Sequence, residues 1–285
     1  MSLDPLKSLP ELGVGLGYRD ELHDDIVTHR DEIDWLEIVT DRYLLDPEQE
    51  VLRRLREDFV LVAHGLDMSI GSDAPLDLDY LEGVAAVADS VDAPWVSDHL
   101  CFTREHGVEL HTLAPVFRTP ERARTIAARA QAVQDRLARP FLLENITYYL
   151  DPPGAMSEPD FISAIMDRCD CGLLLDLNNV AVNSANHGFD PYAYVDALPL
   201  DRVVQVHLAG AAPVAHDGMP VIDGHDWAVT DQVFNLLEHV ARRHQLKGAM
   251  IERDQNFPSD FGELSDELRR TRTALATGVE ARSVS

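Results

Sequence analysis

The sequence predicts an α/β protein, a single-domain TIM (β/α)8 barrel, and three observations carry that expectation. Short apolar runs alternate with helix-compatible stretches about eight times along 285 residues, the number a closed parallel barrel needs. The runs are apolar throughout rather than at every second position, as strands buried on both faces are. Six of them end on side chains of one chemical type. Residues 59–64 and 203–207 close on His64 and His207, 95–99 on Asp98-His99, 141–145 on Glu144-Asn145, 172–176 on Asp176 and 249–252 on Glu252. A single polar strand end carries little weight, since a strand must stop and a buried polar group needs only a hydrogen bond. Six are different, because a parallel barrel gathers its C-terminal strand ends at one mouth. An open doubly wound sheet would scatter them along an edge.

Taken in order, residues 12–17 form a first strand whose glycines Gly13, Gly15 and Gly17 suit close backbone approach. They lack the strand-turn-helix setting of a dinucleotide loop. Residues 20–33 are helix-compatible, and 35–39 form the second strand, along which Glu37 either supports the site or is purely structural. Pro47 and the acidic stretch to Glu57 mark a helix whose first turn suits the dipole. After His64 come a loop over 65–72, a helix over 76–91 and the strand to His99. Residues 101–120 read as an irregular insertion, with His111 a candidate for substrate contact and His106 facing solvent. Thr119-Pro120-Glu121 opens a helix to about Leu137, and Ser157-Glu158-Pro159 opens the one after the fifth strand. Beyond Asp176, residues 182–191 are rich in turn formers and read as a loop beside the site. A helix over 192–198, the strand to His207, and a loop carrying His216, Asp223, His225 and Asp226 follow. Helices over 227–243 and 260–275 flank the last strand. The domain spans residues 1–285, with a core of about 12–276 and residues 277–285 as a frayed tail.

The formal charge of −26, from 50 acidic against 24 basic residues, argues against nucleic acid or an anionic membrane as partner. No apolar run approaches the roughly 18 residues a membrane span requires, and no export signal opens the chain. Cys101, Cys169 and Cys171 are too few for a disulfide framework, so a reducing cytoplasm is the expected setting. Cys169 and Cys171 lie just before the central strand, at the end remote from the predicted mouth, so metal ligation there is not expected. Cys101 reads as a small packed residue.

Histidines, carboxylates and an amide oxygen suit hard to borderline divalent metals such as iron, manganese or zinc. The pool of His64, His99, Glu144, Asp176, Asn178, His207, Asp223, His225 and Glu252 exceeds what one ion uses, so at least two are implied. Carboxylates converging without cations would repel one another, and bound ions relieve that. Neither a Gly-x-Ser-x-Gly elbow, a P-loop nor a His-Glu-x-x-His helix is present.

Several motifs together resemble the DUF692 family of multinuclear non-haem iron-dependent oxidative enzymes, which includes the methanobactin biosynthesis oxidase. They are His64-Gly65, Ser97-Asp98-His99-Leu100, Leu143-Glu144-Asn145, Asp176-Leu177-Asn178-Asn179-Val180, Asn186-His187-Gly188, Val206-His207-Leu208 and Asp223-Gly224-His225-Asp226. The resemblance runs from about Leu12 to Phe257. It implies a TIM barrel with two or three irons that uses O₂ on a ribosomally made precursor peptide, often at cysteine, beside a separate protein that recognises the leader peptide. By motif, His64, His99, Glu144, Asp176, His207 and Glu252 match the core ligands. Asn178, Asp223 and His225 match the set around a third, less tightly held ion, with Gly224 where the family more often carries Thr or Ser. The alternatives are a divalent-metal sugar isomerase or endonuclease-like barrel, which also collects His, Asp and Glu at strand ends, and a non-enzymatic metal-binding module.

Overall fold

Side-chain alternation within eight parallel strands decides what fills the centre of this protein. The computed structural model describes residues 6–212 and 219–283. Its strands are β1 (Gly13–Gly17), β2 (Trp35–Val39), β3 (Val60–His64), β4 (Val96–His99), β5 (Phe102–Glu105), β6 (Val108–Ala114), β7 (Phe141–Glu144), β8 (Gly172–Asp176), β9 (Val203–Leu208) and β10 (Gly248–Ile251). All but β5 and β6 pair in sequence order, and β10 returns to β1, so the ring closes and has no edge.

Inside the ring the lower layer is apolar. Trp35, Val62, Trp95, Leu142, Leu174, Val204 and Met250 cluster there, joined by Leu6 from the segment before β1. Same-face side chains lie two residues apart along a strand. Trp35 is therefore followed on the inner face by Glu37, Val62 by His64, Leu142 by Glu144, Leu174 by Asp176 and Met250 by Glu252. In β9 the register shifts by one residue, pairing Leu173 with Val203 but Leu174 with Gln205, which turns Gln205 and His207 inward. The alternate residues, among them Leu36, Ile38, Leu143, Leu175, Val206 and Ile251, face outward into the core shared with the helices. Two strand glycines make room for Trp35, since a Cβ at Gly15 in β1 would stand 2.4 Å from its indole and one at Gly248 in β10 would stand 2.9 Å away.

The helices are α1 (His23–Thr28), α2 (Glu50–Asp58), α3 (Leu78–Ser90), α4 (Pro120–Leu137), α5 (Glu158–Met166), α6 (Leu177–His187), α7 (Pro191–Asp196), α8 (Asp231–Ala241) and α9 (Gly262–Ser283). Asp77, Thr119, Ser157, Asp176, Asp190 and Thr230 each cap a helix by accepting a first-turn N–H.

Several expectations change. Residues 20–33 form three short pieces, two 3-10 turns around α1, rather than one helix. The insertion at 101–120 is not irregular: β5 and β6 form an antiparallel hairpin whose turn residues His106 and Gly107 both take positive φ, 48° and 79°, as a two-residue turn matched to strand twist requires. Most of the expected loop at 182–191 belongs to α6, which Asp176 starts and left-handed Gly188 stops. Its asparagines are not turn formers, because Asn183 bonds Ile146 O and Tyr148 N across to the preceding loop. Helix α8 starts four residues later than expected, since Trp227 bridges Gly210 in extended form and Thr230 supplies the cap. The tail expected to fray is helical to Ser283, with Arg282 donating to His244 O.

One buried acid on α9 makes stability depend on pH. Burial pushes Glu267 up to about 7, although its carboxylate accepts the Val229 N–H at 2.6 Å and lies 3.8 Å from Arg253. A carboxyl whose folded value exceeds its unfolded one binds more protons folded than unfolded. Its contribution therefore falls as pH rises from about 4.5 to about 7 and stays low above that. Glu267→Gln keeps an acceptor for Val229 and removes the titration. The variant is expected to gain roughly 1–3 kcal/mol on the wild type between pH 5 and 8. Melting curves that stay parallel across that range would refute it.

Candidate metal centre

The mouth of the barrel brings four histidines and four carboxylates together. On β3, His64 Nδ1 shares a 2.9 Å hydrogen bond with Ser97 Oγ, which aims Nε2 at Glu144 Oε2, 3.5 Å away. His99 Nε2 lies 3.5 Å from the same oxygen, with the two rings edge to face at 4.8 Å. The other oxygen of Glu144, Oε1, faces His207 Nδ1 at 3.5 Å. That nitrogen also lies 3.3 Å from Glu252 Oε2 and 4.0 Å from Asp176 Oδ2. Beyond them His225 sits 3.0 Å from Glu252 through Nδ1, and 3.8 Å from Asp176 and 2.9 Å from Asp223 through Nε2. The cluster is thus a continuous series, in which Glu144 joins His64 and His99 to His207, and Asp176 and Glu252 join His207 to His225.

The donor set fits divalent ions. Among the described residues, Glu144 Oε2, Asp176 Oδ2, His207 Nδ1 and His225 Nε2 are buried without a hydrogen-bond partner. Buried polar atoms ordinarily find partners, and atoms whose lone pairs serve an ion are an exception. Ligand atoms each about 2.1 Å from a shared ion stand about 3–3.5 Å apart at near-right or tetrahedral angles, close to the spacings here. Three overlapping groups could each hold an ion: His64 with His99 and Glu144, Glu144 with Asp176 and His207, and Asp176 with His225 and Glu252. A fourth combination, Glu37 with His207 and Glu252, also lies within reach.

Without ions the cluster has to share protons. Burial drives Asp176 well above the carboxylate range, whereas Glu144 stays below it because His99, His207 and His64 outweigh the same burial. Burial would lower His207, but Glu37, Glu144 and Glu252 raise it well above 6.5. His225 is raised against burial in the same way by Glu252 and Asp223. His99 is pushed down to about 4 by burial, which outweighs Glu144 and Glu252. Ions entering such a site would displace these protons.

Local structure fixes the positions. Asp176 spends Oδ1 capping α6 through Asn179 N at 2.7 Å, which leaves Oδ2 for the cluster. Asn145 clamps the neighbouring strand end by bonding both Asp176 N and Asp176 O at 2.9 Å. His225 occupies the left-handed region at φ 47°, a conformation that costs about 1–3 kcal/mol outside glycine and is held by Asp254 N bonding its carbonyl. Gly224 precedes it where a Cβ would meet the Asp226 carboxylate at 2.6 Å.

Of the residues expected from sequence, His64, His99, Glu144, Asp176, His207, Asp223, His225 and Glu252 meet in this cluster. Asn178 lies beside them, its Nδ2 donating to Asp223 Oδ1 at 2.8 Å, a bond that uses the amide nitrogen and not the oxygen. Asp98, adjacent to His99, faces the other way and accepts from Met68 N and His99 N, with burial pushing it up to about 7. His111 lines the cavity above the cluster, while His106 is exposed on the hairpin turn. His216 lies outside the described residues. Cys169 and Cys171 are buried at the opposite end of β8.

Sequence reasoning missed Arg19, Asp254 and Gln205. Arg19 is buried and donates to Glu252 Oε1 at 3.2 Å and to Asp254, so one oxygen of Glu252 is taken and the other faces the histidines. The signal was the two-residue period: Arg19 continues β1 two positions past Gly17, Asp254 lies two past Glu252, and Gln205 two before His207. Above the cluster opens a cavity of about 760 Å³, walled by the hairpin through Glu109, His111, Thr112 and Leu113 and on the other side by Arg42 and Leu66. Among the described residues no helix is long and apolar enough to cross a membrane.

Residues 13–276 match the family described as RiPP precursor modification enzyme MbnB/TglH/ChrH. A UPF0276 protein of Caulobacter vibrioides is 39% identical over 270 residues, covering 93% of this chain and 95% of that protein. One from Rhizorhabdus wittichii is 38% identical over 262 residues, covering 90% and 93%. Among solved structures, a 3-keto-D-glucoside 4-epimerase from E. coli superposes with a TM-score of 0.61 at 16% identity, covering 92% of this chain and 99% of that one. Endonuclease IV from Thermus thermophilus superposes at 0.55 and 15% identity, over 93% and 99%. Likeness at that identity concerns the barrel alone.

Proposed function

Because the chain belongs to the RiPP precursor modification enzymes of the MbnB/TglH/ChrH family, we propose that it is an iron-dependent oxidase that uses O₂ to modify a cysteine of a ribosomally synthesised precursor peptide. The observation that carries the reading is the Glu144 carboxylate, one oxygen facing His64 and His99 and the other facing His207. A carboxylate so placed could serve two neighbouring ions. His64, His99, Glu144, Asp176, His207 and Glu252 would hold two irons in this reading, and Asn178, Asp223 and His225 would hold a third. Bound iron supplies one-electron chemistry and open positions for a thiolate and O₂.

The chain's own residues bind and orient. Ser97 turns the His64 ring, Asn145 and the α6 cap fix Asp176, and Arg19 restricts Glu252 to one free oxygen. The cavity admits an extended peptide segment between the hairpin and Leu66, with His111 on its wall. No thiol of the enzyme is needed, since Cys101 is fully buried and burial keeps it protonated. A separate protein recognises the leader peptide, and the setting is the cytoplasm.

Protein purified without oxygen is expected to carry about two or three irons per chain by elemental analysis. Stoichiometric zinc with no iron, and no O₂ uptake with peptide, would move the reading to a divalent-metal isomerase on the same barrel.

A further inference from the structure

A chain of hydrogen bonds runs beneath the cluster, from the apolar floor of the barrel to His207. It begins at Trp95, whose indole N–H can only donate and does so to Gln205 Oε1 at 2.7 Å. With its oxygen committed, the Gln205 amide presents Nε2 to Glu37 Oε2 at 2.6 Å. The two oxygens of Glu37 also lie 3.1 Å from His207 Nε2. All four side chains are buried, Gln205 and His207 completely. Among the described residues no lysine or arginine forms an ion pair with Glu37, so its carboxylate depends on these donors.

The direction of the chain decides which nitrogen of His207 carries hydrogen. Gln205 Nε2 is 2.9 Å from His207 Nε2, within donating distance of it. If it donated there, a bare Nε2 lone pair would face a carboxylate at 3.1 Å with no hydrogen between them, a repulsive arrangement at low dielectric. Hydrogen on Nε2 turns that contact into a hydrogen bond and leaves Nδ1 bare. Nδ1 is the atom among Glu144, Glu252 and Asp176 that has no hydrogen-bond partner. His64 is set the other way round, with Nδ1 tied to Ser97 and Nε2 free.

We propose that Glu37 is a positioning residue, which accepts the Nε2–H of His207 and so commits Nδ1 of His207 to the ion, with Gln205 and Trp95 fixing the carboxylate that does so. Carboxylates placed behind a ligating histidine orient the ring and strengthen it as a ligand, and their loss typically weakens metal binding about 10–100-fold. Glu37 would not itself be a ligand, because it faces the edge of the imidazole opposite Nδ1. The inference rests on the proposed metal centre but not on oxidation or on peptide.

The test uses the full chain, loaded without oxygen with Co(II) as a spectroscopic probe and separately with Fe(II). Wild type, Glu37→Ala, Glu37→Gln and the exchange Glu37→Gln/Gln205→Glu are compared by ion count, chelator competition, the visible Co(II) spectrum and melting of the metal-free protein. The exchange restores the order of donors. Trp95 and the amide moved to position 37 donate to the carboxylate moved to position 205, and the oxygen of that amide accepts from His207. Expected are an unchanged ion count at saturating metal, about 10–100-fold weaker binding of one ion with an altered spectrum in Glu37→Ala, and recovery to within about threefold in the exchange. If Glu37→Ala does not fold, the difference between Glu37→Gln and the exchange carries the same test. Unchanged affinity and spectrum with only a lower metal-free melting temperature would overturn the proposal, as would loss of a whole ion at saturation, which would make Glu37 a ligand. Wild type that binds neither metal would overturn both this inference and the metal centre. Wild type that binds both but leaves peptide unoxidised would refute the oxidase reading alone.

Discussion

Replacing Glu144 by alanine is expected to reduce the iron of anaerobically purified protein from about two or three ions per chain to about one or none. The size of the effect follows from where its oxygens point. Oε2 is the shared neighbour of His64 and His99, and Oε1 faces His207. Two of the four candidate ion groups contain Glu144, so its removal damages both, whereas loss of His225 or Asp223 touches only the far end of the series. The fold should survive, since the hydrogen bond from Leu100 N to Glu144 uses the backbone carbonyl and the β4–β7 register does not need the side chain. The metal-free alanine variant is expected to melt lower than metal-free wild type, because His207, raised in part by Glu144, loses that partner. Iron retained at the wild-type count would show that Glu144 bridges nothing. The comparison variant is Asp223→Ala, expected to lose no more than about one ion.

The barrel and most of this cluster were legible in the sequence because both depend on the shortest period a protein has. A parallel strand buried on both faces is apolar throughout, so a carboxylate or histidine at its end stands out, and closure brings six such ends together. The support around them was not legible in the same way. Gln205 sits inside a strand, where a lone polar residue has no neighbour in sequence to explain it. Its partners Trp95 and Glu37 come from the residue just before β4 and from β2, and the register shift in β9 decides that it faces inward at all. Arg19 lies past a strand end among loop residues, and only closure of the ring by β10 sets it against Glu252 and Asp254. Asn183 misled for the opposite reason. Asparagine favours turns when its side chain has only its own backbone to bond, but on α6 the loop after β7 is within its reach. The hairpin at 102–114 reads as irregular in the sequence, although His106-Gly107 between two β-prone stretches forms a two-residue turn with both residues at positive φ.

Two neighbouring substitutions are expected to separate completely in a peptide assay. His99→Ala should abolish modification, with a rate loss of at least about 100-fold, while Cys101→Ser should keep activity within a few-fold of wild type. The residues are two apart, on and just past the end of β4, yet their surroundings differ. His99 presents Nε2 to Glu144 Oε2, and burial holds its imidazole neutral, the form that ligates an ion. Alanine there leaves Oε2 with His64 as its one facing histidine in that group. Cys101 lies behind this face with its carbonyl bonded by Gly71 N, and burial, then Asp98 and Glu144, raise its thiol well above the ordinary range. A protonated, inaccessible thiol neither ligates nor attacks, so serine costs only what a buried hydroxyl costs, about 1–3 kcal/mol of stability if it finds no partner. The experiment supplies each reduced, iron-loaded protein with the cysteine-containing precursor peptide proposed as its substrate, any partner protein it requires and O₂, and follows peptide mass. Modification by His99→Ala at the wild-type rate would remove the His64, His99 and Glu144 group from the chemistry. Loss of activity in Cys101→Ser with iron count and melting temperature intact would mean that the enzyme's own thiol takes part, and that the oxidation is not carried by the metal centre alone.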